Sequence, residues 1–182
     1  MRAVFPAVAA LVLLPAAAVL GACSDPLANS QLIRLDSLSL AAANGPSTLP
    51  SAVDIVINNA PSFPELPSEA GNWDLQVRQQ GTTFYLVPNP GNGTFRGAGL
   101  QKTSRTIESP GKAPITSASY TRTQVAVAPG DVYYVQSRQS NSVCGTLPKY
   151  GILKVISTVA DSGVAHLAVL SNQSCADERL VP

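Results

Sequence analysis

Strand-sized segments of alternating polarity recur at intervals of roughly ten residues with glycine and proline between them, and this pattern constrains the fold more than any other feature of the chain. In "NWDLQVRQ" the apolar Trp73, Leu75 and Val77 alternate with Asp74, Gln76 and Arg78, so one face of the segment is apolar and the other polar. A "QG" pair then leads into "TTFYLVP", which predicts a β-hairpin closed at its far end by "NPGNG". "SPGK" at 109–112 marks another turn. "TQVAVA" and "DVYYVQSR" flank the turn signal "PGD", and "YGILKVISTV" and "GVAHLAVLS" flank "ADSG". "AVDIVINN" reads as a further strand. Pro61, Pro64 and Pro67 match the three-residue repeat of polyproline II, which a peptide-recognition domain could read, but a stiff connecting loop is the preferred reading. No stretch of helical length combines a 3.6-residue repeat with caps. The expectation is an all-β fold: one antiparallel β-sandwich or barrel-like domain over residues 51–182.

The first 22 residues have a different character. Met1 and Arg2 form a minimal positive start, and from Ala3 to Ala22 there is no charge. A spanning helix would need about 20 strongly apolar residues. This run is mostly alanine and is broken by Pro6 and Pro15, so a cleaved signal peptide over 1–22 fits better than an uncleaved anchor. Leu20-Gly21-Ala22-Cys23 resembles the lipobox of bacterial lipoproteins. The resemblance implies that the Cys23 sulfur takes a diacylglyceryl group, that the chain is cut before it, and that the new amine takes a further fatty-acyl chain such as palmitate. Two or more chains anchor a protein stably, at about 0.8 kcal/mol per buried methylene, so no protein segment need cross the bilayer. The implied place of work is the cell envelope. In a cell with two membranes, Ser24 rather than an acid after the lipidated cysteine favours the outer membrane. Residues 23–50, rich in Ser, Ala, Asn and Pro around "LIRLDSLSL", read as a tether, with "LIRLDSL" available as a first strand or docking element.

Three cysteines in an exported chain leave one over unless it has another task, and lipidation of Cys23 supplies that task. Cys144 and Cys175 are then expected to pair as a disulfide in an oxidising compartment. A metal or redox site is the competing reading, but it lacks a CxxC spacing and a nearby histidine. Twelve Lys and Arg against eleven Asp and Glu, with no charge block, argue against nucleic acid as a partner and against a polybasic lipid patch.

Catalytic patterns are sparse. The single histidine, His166, lies in an apolar strand with no G-x-S-x-G elbow before it and reads as structural or surface. Asp54, Asp74, Asp131 and Asp161 fall at strand ends or turns, where Asp usually serves the backbone, and the sequence does not pair any two of them as a glycosidase would require. The glycines of "NPGNGTFRGAG" match no phosphate-binding motif, and no calcium loop or HExxH metal motif is present. No metal site and no cofactor are expected from these residues.

"GNWDLQVRQQG", "YYVQSRQSN" and "KYGILKVIS", spread over residues 72–170, resemble the HmuY-like β-rich lipoproteins, which implies an all-β fold and a haem-carrier role. The family's paired histidine or methionine ligands have no counterpart here: there is one His and, after cleavage, no Met. Tyrosinate could hold haem iron, and Tyr85, Tyr120, Tyr133, Tyr134 and Tyr150 are available. Aromatic side chains could instead stack on a sugar or a protein partner, with Trp73, Tyr133 and Tyr134 the group to suspect. Alternation places Tyr133 and Tyr134 on opposite faces, and Trp73 heads the inward set. The expected function is that of an envelope lipoprotein, anchored to the membrane through Cys23, that serves as a non-catalytic binding or structural module for an envelope protein or small ligand. A haem or small-ligand carrier and an envelope hydrolase are the alternatives.

Overall fold

The computed structural model describes residues 31–45, 48–140 and 143–181; the segment expected to be a signal peptide, residues 1–22, and Cys23 lie outside the described residues. Among the described residues ten strands follow one another: β1 (Leu32–Ala41), β2 (Ala52–Asp54), β3 (Ala60–Ser62), β4 (Leu75–Gln80), β5 (Thr83–Pro88), β6 (Gly99–Lys102), β7 (Val125–Val127), β8 (Val132–Gln136), β9 (Tyr150–Val159) and β10 (Val164–Asn172). They form two five-stranded antiparallel sheets, ordered β1-β10-β9-β8-β6 and β3-β2-β4-β5-β7, packed as a sandwich. The all-β expectation therefore holds.

Period-two alternation builds the core between the sheets. Leu38 and Leu40, Leu75 and Val77, Phe84 and Leu86, Tyr133 and Val135, Leu153 and Val155, and Leu167 and Val169 all turn inward into one cluster. The first sheet is also covered on its outer side, where Tyr134, Tyr150, Ile152, Ala168 and Leu170 pack under Ile107, Ala113, Tyr120 and Leu180. Hydrogen bonds hold that cover down: Tyr134 Oη donates to the Pro110 carbonyl at 2.5 Å and Tyr120 Oη to that of Pro114 at 2.8 Å. Burial on both faces explains why β8, β9 and β10 read as nearly continuous apolar runs, whereas β4 and β5 alternate cleanly.

The β4–β5 hairpin forms as predicted, with a two-residue loop in which Gly81 takes a φ of 58°. β9 and β10 also pair directly. The "PGD" turn does something else: β7 pairs with β5 in one sheet while β8 pairs with β6 and β9 in the other, so this turn carries the chain between layers. "AVDIVINN" is strand only as far as Asp54, after which Asn58 and Asn59 adopt left-handed backbone and turn the chain into β3. The proline-spaced segment is a run of turns, with Leu66 N–H donating to Phe63, Glu69 to Leu66 and Asn72 to Glu69. Residues 32–41, within the stretch read as a tether whose "LIRLDSL" could add a first strand, form a long edge strand of the first sheet that pairs with β10 on either side of an irregularity at Leu35–Leu38. The reason is the apolar content of "LIRLDSLSL": Leu38 and Leu40 fill the core, and strand pairing is the way to bury them.

Candidate functional site

A cluster of four charged side chains closes one end of the sandwich. Asp54 ends β2, Asp74 precedes β4, Arg138 follows β8 and Lys149 precedes β9, so both sheets contribute. Arg138 grips Asp54 with both terminal nitrogens, at 2.9 and 3.1 Å, and reaches Asp74 Oδ2 at 3.3 Å. The Asp74 carboxylate also accepts the backbone N–H groups of Ile55 at 2.7 Å, Val56 at 3.1 Å and Arg138 at 2.6 Å. Lys149 Nζ donates to the Val56 carbonyl and to Gln173 Oε1, both at 2.6 Å, and Gln173 in turn donates to the Ile55 carbonyl.

Burial sets the protonation behaviour of this cluster. It pushes Asp74 up to about 6 against the pull of Arg138, and the neighbouring Asp54 charge adds to the rise. Burial also works against the charge on Arg138, but the Asp54 and Asp74 carboxylates outweigh it and hold the guanidinium protonated more firmly than in water. Lys149 is shifted down by burial, opposed by the same two carboxylates. The arrangement is a clamp. Each Asp74 oxygen accepts hydrogen bonds from the fold and the side chain is fully buried, while Asp54 borders a depression of about 340 Å³ beside Arg138 and Ser140.

The outer face of the second sheet is different in kind. A groove of about 530 Å³ runs over it, with Trp73, Gln76, Arg78, Gln80, Tyr85 and Gln124 among its lining residues. The polar half of the β4 alternation supplies Gln76, Arg78 and Gln80, and β5 supplies Tyr85. Gln76 is tied down, its Nε2 donating to Glu65 at 3.2 Å, and Arg78 Nε donates to Gln76 Oε1 at 3.3 Å. The Tyr85 hydroxyl and the amides of Gln80 and Gln124 have no hydrogen-bond partner among the described residues. Trp73 lies between this groove and a second cavity of about 600 Å³ at the sandwich end, which Pro90 and Phe95 also line. Its indole N–H is held by the Ala70 carbonyl at 3.0 Å.

The residues singled out from sequence are dispersed. Cys144 and Cys175 are joined as a disulfide, with Cα atoms 5.6 Å apart. Cys23 lies outside the described residues. Tyr133, 1% exposed, points into the core, and Tyr134, 6% exposed, points the opposite way under the loop cover. Neither lines the groove, and of the three suspected aromatics only Trp73 does. Of the five tyrosines, Tyr120 and Tyr150 are likewise buried, leaving Tyr85 half-exposed. His166 shares a 2.9 Å hydrogen bond with the Ser39 hydroxyl across the β1–β10 pair. Among the described residues no group of three or more His, Cys, Asp or Glu side chains could hold a metal ion.

Sequence reasoning passed over the groove and half of the clamp. Arg138 and Lys149 gave a signal, each being a cation set against the end of an apolar strand in "VYYVQSR" and "KYGILKV". Gln76, Arg78 and Gln80 gave one too, as the polar half of an alternation, but nothing local indicates that this face stays uncovered while the other sheet's outer face does not. Comparison of the chain with protein-family models, with curated proteins and with solved structures returns no match.

Proposed function

We propose that the protein is a lipid-anchored module of the cell envelope, held at the membrane through Cys23 and acting by binding rather than by catalysis, with the outer membrane its place in a cell that has two. The observation that carries the binding half of this reading is the division of polar groups. The charged side chains of Asp54, Asp74 and Arg138 are engaged in holding the sheets together, whereas the side-chain polar groups of Tyr85, Gln80 and Gln124 have no partner among the described residues and face an open groove. Such a surface suits a ligand rich in hydroxyl or amide groups. The lipobox at residues 20–23 supports the anchor. A small-ligand carrier is the second reading, favoured by the half-exposed Tyr85 phenol beside the Arg78 guanidinium. The hydrolase alternative has less support, because the two carboxylates that come together, Asp54 and Asp74, converge on Arg138 rather than on a cleft.

Native mass spectrometry of the protein extracted from its own membrane fraction tests the proposal. The expected spectrum shows acyl chains on Cys23 and a retained ligand mass that disappears in Tyr85→Ala and Arg78→Ala. An intact, unacylated N-terminus removes the anchor, and a retained mass indifferent to both substitutions removes the groove.

A further inference from the structure

Two opposite charges stand in the groove of the second sheet without meeting. Arg78 belongs to β4, and Glu65 to the run of turns that follows β3. Both line the groove and both are exposed. Among the described residues neither forms an ion pair, with the other or with any third group.

A single buried amide fixes them both. Gln76, 5% exposed, donates from Nε2 to Glu65 Oε1 at 3.2 Å and accepts Arg78 Nε on its Oε1 at 3.3 Å. The Ser51 hydroxyl, also buried, donates to the same Glu65 oxygen at 2.6 Å. The fold therefore uses one oxygen of the carboxylate and one nitrogen of the guanidinium. Glu65 Oε2 and both terminal nitrogens of Arg78 have no partner among the described residues. Anchoring two long side chains to buried groups lowers the ordering entropy that a ligand would otherwise have to overcome.

The spacing limits the size of what fits. Two hydrogen bonds and the width of one amide put Arg78 Nε no more than roughly 9 Å from Glu65 Oε1. Two or three residues of extended peptide cover that span, at about 3.3 to 3.6 Å each. Neutral hydrogen-bonding groups complete the surface: Tyr85, which faces Arg78 across the β4–β5 pair, and the amides of Gln80 and Gln124.

We infer that the groove takes a short peptide with both ends free, its terminal carboxylate on the Arg78 guanidinium, its terminal ammonium on Glu65 Oε2 and its amides against Tyr85, Gln80 and Gln124; this rests on the reading of the groove as a binding surface. A planar guanidinium receives a carboxylate through two parallel N–H donors, and Arg78 has its two terminal nitrogens to offer. A neutral saccharide would satisfy the amides and the phenol but leave both charges without a counterpart.

Saturation-transfer difference NMR on the full-length protein, with trialanine as the probe, tests the assignment. Trialanine should give a saturable signal, and N-acetyl-trialanine and trialanine amide should each bind about tenfold more weakly, because each loses one charge-assisted contact. Two substitutions should split these preferences. Arg78→Gln is expected to bind trialanine and its amide alike while still discriminating against the acetylated form, and Glu65→Gln to do the reverse. The preference that each variant keeps shows that its groove is folded. Free and blocked peptides binding alike, or no binding of trialanine, overturns the inference. Maltotriose binding in place of trialanine, and lost in Tyr85→Ala, overturns it while leaving the groove a binding surface; a protein that binds neither probe and retains no ligand from its own membrane loses both.

Discussion

A guanidinium that leaves water must find its countercharge inside the fold, and Arg138 finds it on β2 and beside β4, in the sheet opposite its own. Its bond to Asp54 spans 84 residues of sequence. Removing one partner of such a group leaves the others charged and buried, which is costlier than never having built it. Arg138→Met should therefore destabilise the domain by about 3–5 kcal/mol, read from the urea midpoint, far beyond the effect of replacing a surface arginine. The sequence exposes the Asp half of this arrangement correctly in role, since Asp74 does serve backbone N–H groups. It conceals the partners, because ion pairs between distant residues leave no local periodicity.

Strands and turns were legible where their signals were local. The β4–β5 hairpin combines strict alternation with a glycine at its turn, and the β9–β10 hairpin has two apolar segments around "ADSG". β1 was harder to read, because its apolar stretch is embedded in tether-like composition and its partner lies at the other end of the chain. The "PGD" turn shows the limit of a turn signal: it marks a reversal of the chain without telling which sheet the chain enters next. The disulfide ties the loop before β9 to the segment after β10, closing 31 residues of sequence. Its loss should cost about 3–4 kcal/mol in the chain-entropy account. Cys144→Ser, Cys175→Ser and the double substitution should lower the thermal midpoint equally, and unequal shifts would show that a free thiol, rather than the lost bridge, is responsible.

For the molecule as a whole, the fold class followed from alternation and turn spacing, but the unequal treatment of the two outer faces did not. Which sheet is covered depends on where the segment 103–120 and the C-terminal residues settle, and their apolar contributors Ile107, Ala113 and Leu180 are too scattered to announce a covering layer. The groove of the candidate site exists because the described residues leave Arg78, Gln80 and Tyr85 open on the outer face of the second sheet, beside the segment that carries Glu65. The stability of the whole should carry the mark of Asp74. Folding raises its pKa from 3.8 to about 6, so the folded state holds that proton more tightly than the unfolded chain does. The resulting contribution is full below about pH 4 and is lost as the pH rises through about 6. Urea midpoints measured across that range should show this falling component in the native protein and not in Asp74→Asn. Asp177, held near 2 by Arg179, acts in the opposite sense and only at lower pH. The pairing of β1 with β10 also imposes an order of events. Among the described residues the first strand's neighbour in its sheet is the last one, so β1 cannot dock into that sheet before β10 is available, whatever has formed in between.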